Sequence, residues 1–215
     1  QIILASILSV CFIGAVPLRV DAADQPDRLR GDMRCFIEPI KSGIDCGDLR
    51  IPVTLIINGN GSARGVELRE PPDSGFSVIL SGMESHGYEV GKNIFTYSYS
   101  GMDLQRKTNN AYTCSESAGQ DVSVSRDKLI DYIRVFDSGQ PAGRKLIIVG
   151  YSLGGILITQ SLYEATLKPS LEQLFRKRVG GLATFHSPIM GTTRVIANYF
   201  ATMRFLEPSS VVGNL

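Results

Sequence analysis

The sequence predicts the α/β class, with a mainly parallel sheet and helices on both faces. Three observations carry that reading. Leu146-Ile147-Ile148-Val149 is apolar with no polar alternation, the pattern of a strand buried on both faces. The run breaks at once into Gly150-Tyr151-Ser152-Leu153-Gly154-Gly155 and enters a helical stretch from Ile156 to about Leu167. Strand then alternates with helix through this half of the chain, which favours a parallel sheet over hairpins.

Taken from the amino terminus, Ile2 to Val16 is an apolar stretch followed by Pro17, Arg19 and Val20-Asp21-Ala22-Ala23. Short side chains one and three places before a break after Ala22 fit a signal-peptidase site, so residues 1–22 read as a signal peptide whose basic start is missing. A membrane anchor is the alternative, but the run is short of the ~20 residues a spanning helix needs. Leu8-Ser9-Val10-Cys11 as a lipoprotein box is disfavoured, because apolar residues continue past Cys11. The destination expected is therefore secreted or periplasmic, with membrane contact only transient, through the signal.

Residues 23–75 read as a leader with strands. Cys35 and Cys46 bracket a short polar loop with Pro39, Ser42 and Gly43, and export would favour a disulfide between them; buried thiols are the alternative. Cys114 is left over, either a buried thiol or a partner for a cysteine beyond this chain. Leu49 to Ile57 is strand-like and ends at Asn58-Gly59-Asn60-Gly61, where Asn60-Gly61-Ser62 is formally a glycosylation sequon. Gly65 to Arg69 is a weaker strand, and Pro71-Pro72-Asp73-Ser74-Gly75 is a turn.

A strand is expected at Phe76 to Leu80, running into Ser81-Gly82-Met83, and another at Asn93 to Tyr99, stopped by Ser100-Gly101. Residues 102–122 are polar and read as a surface excursion, with the Tyr97, Tyr99 and Tyr112 rings taken as packing. Leu129, Ile130, Ile133 and Phe136 fall at helical spacing, and Gly139 and Pro141 end that helix. After Pro169 and the basic Arg176-Lys177-Arg178, a further apolar run extends from Val179 to Phe185.

Composition removes several function classes. Among 215 residues the formal net charge is +1, without a basic block, Walker loop or RNA-binding signature, so no nucleic-acid partner is expected. Two histidines, and cysteines without C-x-x-C spacing, make a metal centre unexpected. No cofactor is implied.

The chemistry sits at Gly150 to Gly155. A serine at so sharp a strand-to-helix turn is held in a strained conformation with its hydroxyl raised above the sheet. Glycine at 150 and 154 follows where a Cβ would strike the neighbouring strand or helix. The N–H of Leu153 lies at a helix N-terminus, where aligned peptide dipoles favour an oxyanion. Ser152 is therefore the candidate nucleophile.

Several landmarks in order resemble a secreted lipase or esterase of the α/β-hydrolase superfamily: Ser81-Gly82-Met83, Tyr99-Ser100-Gly101, Gly150 to Gly155, His186-Ser187-Pro188-Ile189-Met190-Gly191-Thr192, and Leu206-Glu207-Pro208-Ser209-Ser210 onward. The likeness covers about residues 76–215, read as a partial hydrolase core. It implies an ester hydrolase acting on small-molecule or lipid esters through an acyl-serine on Ser152, with Leu153 and Met83 as oxyanion donors. Ser81-Gly82 stands where such lipases commonly have His-Gly. The superfamily places acid and histidine after the nucleophile on later loops. His186 comes one strand too early, His86 reads as a pocket or surface residue, and Glu207 reads as structural. The expectation is an amino-terminal fragment, incomplete at the C-terminus, lacking base and acid and therefore inactive by itself. The cysteine-bearing leader also resembles secreted prolyl-type peptidases of the same superfamily, making an aminopeptidase the alternative. A non-catalytic hydrolase-fold binding protein is the third reading.

Overall fold

The structure, a computed structural model, describes residues 32–59, 75–112, 114–185 and 187. The expected signal segment, the sequon, the weak strand at 65–69, His186 and Glu207 lie outside the described residues.

In chain order the elements are α1 (Arg34–Ile37), β1 (Val53–Ile57), α2 (Gly75–Glu84), β2 (Ile94–Thr96), β3 (Met102–Asp103), β4 (Thr108–Asn109), α3 (Cys114–Gly119), α4 (Val122–Gly139), β5 (Leu146–Tyr151), α5 (Leu153–Leu167), α6 (Pro169–Arg178) and β6 (Val179–Phe185). Four of the strands form one sheet in the order β2-β1-β5-β6, and every neighbouring pair in it is parallel. The α/β class is thus what the chain adopts.

Period-two alternation along the central strands divides the core. Val53, Leu55 and Ile57 of β1, with Leu146 and Ile148 of β5, face α1, α4, α5 and α6 through Phe36, Leu129, Ile133, Phe136, Leu157 and Phe175. Ile56, Ile94 and Val149 face the opposite way and meet Leu80 and Met83 of α2. Helices therefore cover both faces. β1 lies on the amino-terminal side of the boundary expected at residue 75, yet it pairs on both edges inside the sheet.

One expectation is corrected. Residues 76–80 are not a strand but part of helix α2. A short apolar run looks alike as a buried strand or a buried helix. Here β1 and β2 pair in parallel, and a parallel pair needs a crossover, normally helical, between its strands. Residues 102–122, expected as a surface excursion, carry secondary structure of their own. They fold into the β3–β4 hairpin and α3, with Tyr112 buried. Their polar groups are used inward: Asn109 donates Nδ2–H to the Thr96 carbonyl at 2.7 Å and accepts from the Tyr132 hydroxyl at 2.5 Å.

The amino-terminal segment is fastened at several points. Cys35 and Cys46 form a disulfide, with Cα atoms 5.4 Å apart. The Gln140 amide donates to the carbonyls of Cys35 and Phe36, 3.0 and 2.5 Å away. A Cβ on Gly139 would fall 1.4 Å from the Ile37 carbonyl oxygen, so only glycine lets α1 sit this close to α4. Buried Arg178 pairs with Asp137 and donates to the Pro141 and Asp137 carbonyls at 2.9 Å, closing the end of α4 onto α6. Among the described residues no helix is long and apolar enough to cross a membrane.

Replacing both Cys35 and Cys46 by serine should lower unfolding free energy by ~2–3 kcal/mol, chiefly by freeing the unfolded chain. Urea titration with and without reductant measures it. An unchanged midpoint would mean that the segment's other contacts hold it without the disulfide.

Candidate active site

Ser152 is the single residue between β5 and α5, and the chain reverses there with φ 51° and ψ −115°. Only Lys107 and Ser152 have positive φ among the described non-glycine residues. A side chain held in that region costs of order 1–3 kcal/mol and persists only where the surroundings dictate it. The surroundings do so here. The Ser152 N–H donates to the Phe185 carbonyl at 2.9 Å, extending the β5–β6 ladder, while its own carbonyl accepts from Gly155 N–H at 3.1 Å. Ser152 itself is half-buried.

The glycines around it are set by contact. A Cβ on Gly150 would lie 2.5 Å from the carbonyl carbon of Gly154, and one on Gly154 would lie 2.5 Å from the Ile57 carbonyl oxygen. Strand β5, helix α5 and strand β1 thus touch backbone to backbone. Gly155 admits Ser187, whose Oγ would be 2.1 Å from an added Cβ. Leu153 is buried at the first position of α5, where the N–H groups of the first turn have no carbonyl four residues back.

The sheet order gives this place its significance. From β1 the chain moves outward to β2; from β5 it moves the opposite way to β6. The reversal falls between β1 and β5. The helices that follow those two strands pack on opposite faces, α2 on one and α5 on the other. Open α/β sheets bind ligands in that crevice, beyond the carboxyl ends of the strands. Ser152 follows β5 there, and Gly59 follows β1.

Gly59 is the residue that sequence reasoning missed. A Cβ at Gly59 would stand 2.9 Å from the Ser152 Cβ and 3.1 Å from Cδ1 of Tyr151, so the end of β1 lies directly against the serine. Its only signal was Asn58-Gly59 closing an apolar run, which reads equally well as a strand terminus. Met83 is placed differently from the expectation. It lies in the last turn of α2, packed toward Ile56 and Val149, where its N–H is in position to serve the helix's own i→i−4 ladder. The turn it was to occupy followed the strand that α2 replaces.

His86 is exposed after α2 and donates Nδ1–H to the Gly82 carbonyl at 2.8 Å. No group of three or more His, Cys, Asp or Glu side chains converges on a cation position among the described residues. No protein-family model, curated protein or solved structure matches the chain.

Glycine relieves the backbone strain at residue 152 and alanine does not. Ser152→Gly is expected to unfold at higher denaturant than Ser152→Ala, by about 1 kcal/mol. Equal midpoints, or a less stable glycine variant, would show that residue 152 is unstrained.

Proposed function

We propose that the chain is an α/β-hydrolase in which Ser152 attacks a carboxylic ester, with small-molecule or lipid esters as the substrate class. The observation that carries the reading is the strained serine at the β5–α5 turn, at the sheet's reversal point and against the end of β1.

In this reading the Ser152 oxygen bonds to the ester carbonyl carbon while its proton passes to a general base. The carbonyl becomes an oxyanion, stabilised by the Leu153 N–H at the head of α5 and by donors at the Asn58–Gly59 end of β1. Met83, inside α2, has no part in it. Collapse of the oxyanion expels the alcohol, which takes the proton, and leaves an acyl-serine that water then hydrolyses. The base and its orienting acid are not assigned to described residues. His86 is turned to its own helix end. The Cys35–Cys46 disulfide is compatible with an extracellular or periplasmic location, which completes the proposal of an exported hydrolase.

A fluorophosphonate probe should label the native protein at Ser152, and Ser152→Ala should abolish the label. A folded native protein left unlabelled would overturn the reading in favour of a non-catalytic binding protein. Turnover of nitrophenyl esters without aminoacyl anilides fits an esterase; anilide turnover would make it a peptidase of the same fold.

A further inference from the structure

The loop that leaves β2 carries a buried tyrosine whose hydroxyl reaches across to the end of β1. Tyr99 is fully buried, and its Oη donates to the Asn58 carbonyl at 2.7 Å. Burial, with Tyr97 and Tyr112 alongside, pushes that phenol well above its ordinary pKa, so it stays a neutral donor. Asn58 and Gly59 share one peptide plane. Fixing the Asn58 carbonyl therefore fixes the Gly59 N–H direction and seats the Gly59 Cα against Ser152.

Tyr99 is itself immobilised. Its ring meets Tyr97 and Tyr112 edge-on, with centroids 5.1 and 5.2 Å away. Its carbonyl accepts from Lys128 Nζ at 2.5 Å and from the Gln120 amide at 3.3 Å. The preceding N–H, of Ser98, donates to the Tyr132 hydroxyl at 3.0 Å.

We infer that Tyr99 is a positioning residue: its hydroxyl holds the Asn58–Gly59 peptide in register with Ser152, so that the end of β1 keeps its place against the nucleophile. This rests on Ser152 being the nucleophile. Misplacing such a group by about 1 Å can cost ~100-fold in rate.

Tyr97 supplies the control, because it is equally buried in the same cluster but donates its hydroxyl to the Ser125 carbonyl of α4, 2.8 Å away. In the native protein, the saturating rate of Ser152 phosphonylation should fall about tenfold or more in Tyr99→Phe. The probe concentration giving half that rate should change little. Tyr97→Phe should keep the wild-type rate while melting lower. Placing 4-aminophenylalanine at position 99 restores a donor in the para position and should recover the rate. It also serves as the test should Tyr99→Phe fail to fold, a folded but slow variant then counting against the proposal. Equal rates in wild type and Tyr99→Phe, or equal slowing in both phenylalanine variants, would overturn it. An unlabelled wild type would instead overturn the assignment of Ser152 itself.

Discussion

Three backbone segments meet at one point without a side chain between them, and the rest of the structure follows from that contact. Gly150 of β5 lies against Gly154 of α5, and Gly154 against the Ile57 carbonyl of β1. A helix this close to the strand it grows from leaves room for one connecting residue, and that residue must take a positive φ. Ser152 is forced into its conformation by its neighbours, and its hydroxyl is carried to the sheet's carboxyl edge as a consequence.

A strained turn survives only in a frame that cannot relax around it. β5 is hydrogen-bonded on both edges and packed on both faces, so it cannot shift to accommodate an easier bend. Interiors at crystal-like density transmit such constraints rather than absorb them. The amino-terminal segment stiffens the same frame through the disulfide, the Gln140 amide and the α1–α4 contact at Gly139. The aromatic cluster of Tyr97, Tyr99, Tyr112 and Tyr132 ties the loop after β2 to α4 and to the end of β1. Rigidity and strain are in this sense one property of the domain.

Legibility in the sequence tracked locality. β5, the turn and α5 were readable because an unbroken apolar run, a glycine cluster and a second apolar run succeed each other within about twenty residues. The Cys35–Cys46 pairing was readable because both cysteines flank a single loop. Helix α2 was not, since Phe76 to Leu80 is five residues with no helical period. Only the parallel pairing of β1 with β2 identifies it as the crossover. Gly59 was illegible for a related reason: what makes it glycine is Ser152, over ninety positions away in sequence. The polar stretch 102–122 hid its packing, because it buries hydrogen bonds, such as Tyr132 to Asn109, instead of an apolar stripe.

The most direct measurement is a crystal structure of the native protein after reaction with a fluorophosphonate. The phosphonyl oxygen stands in for the oxyanion of ester hydrolysis. It should be bonded to Ser152 with a positive φ retained there, and lie about 2.7–3.1 Å from the Leu153 N–H and from a donor at the end of β1. A phosphonyl oxygen pointing to solvent, or met by α2 at Met83, would contradict the site described; so would a residue 152 relaxed to negative φ.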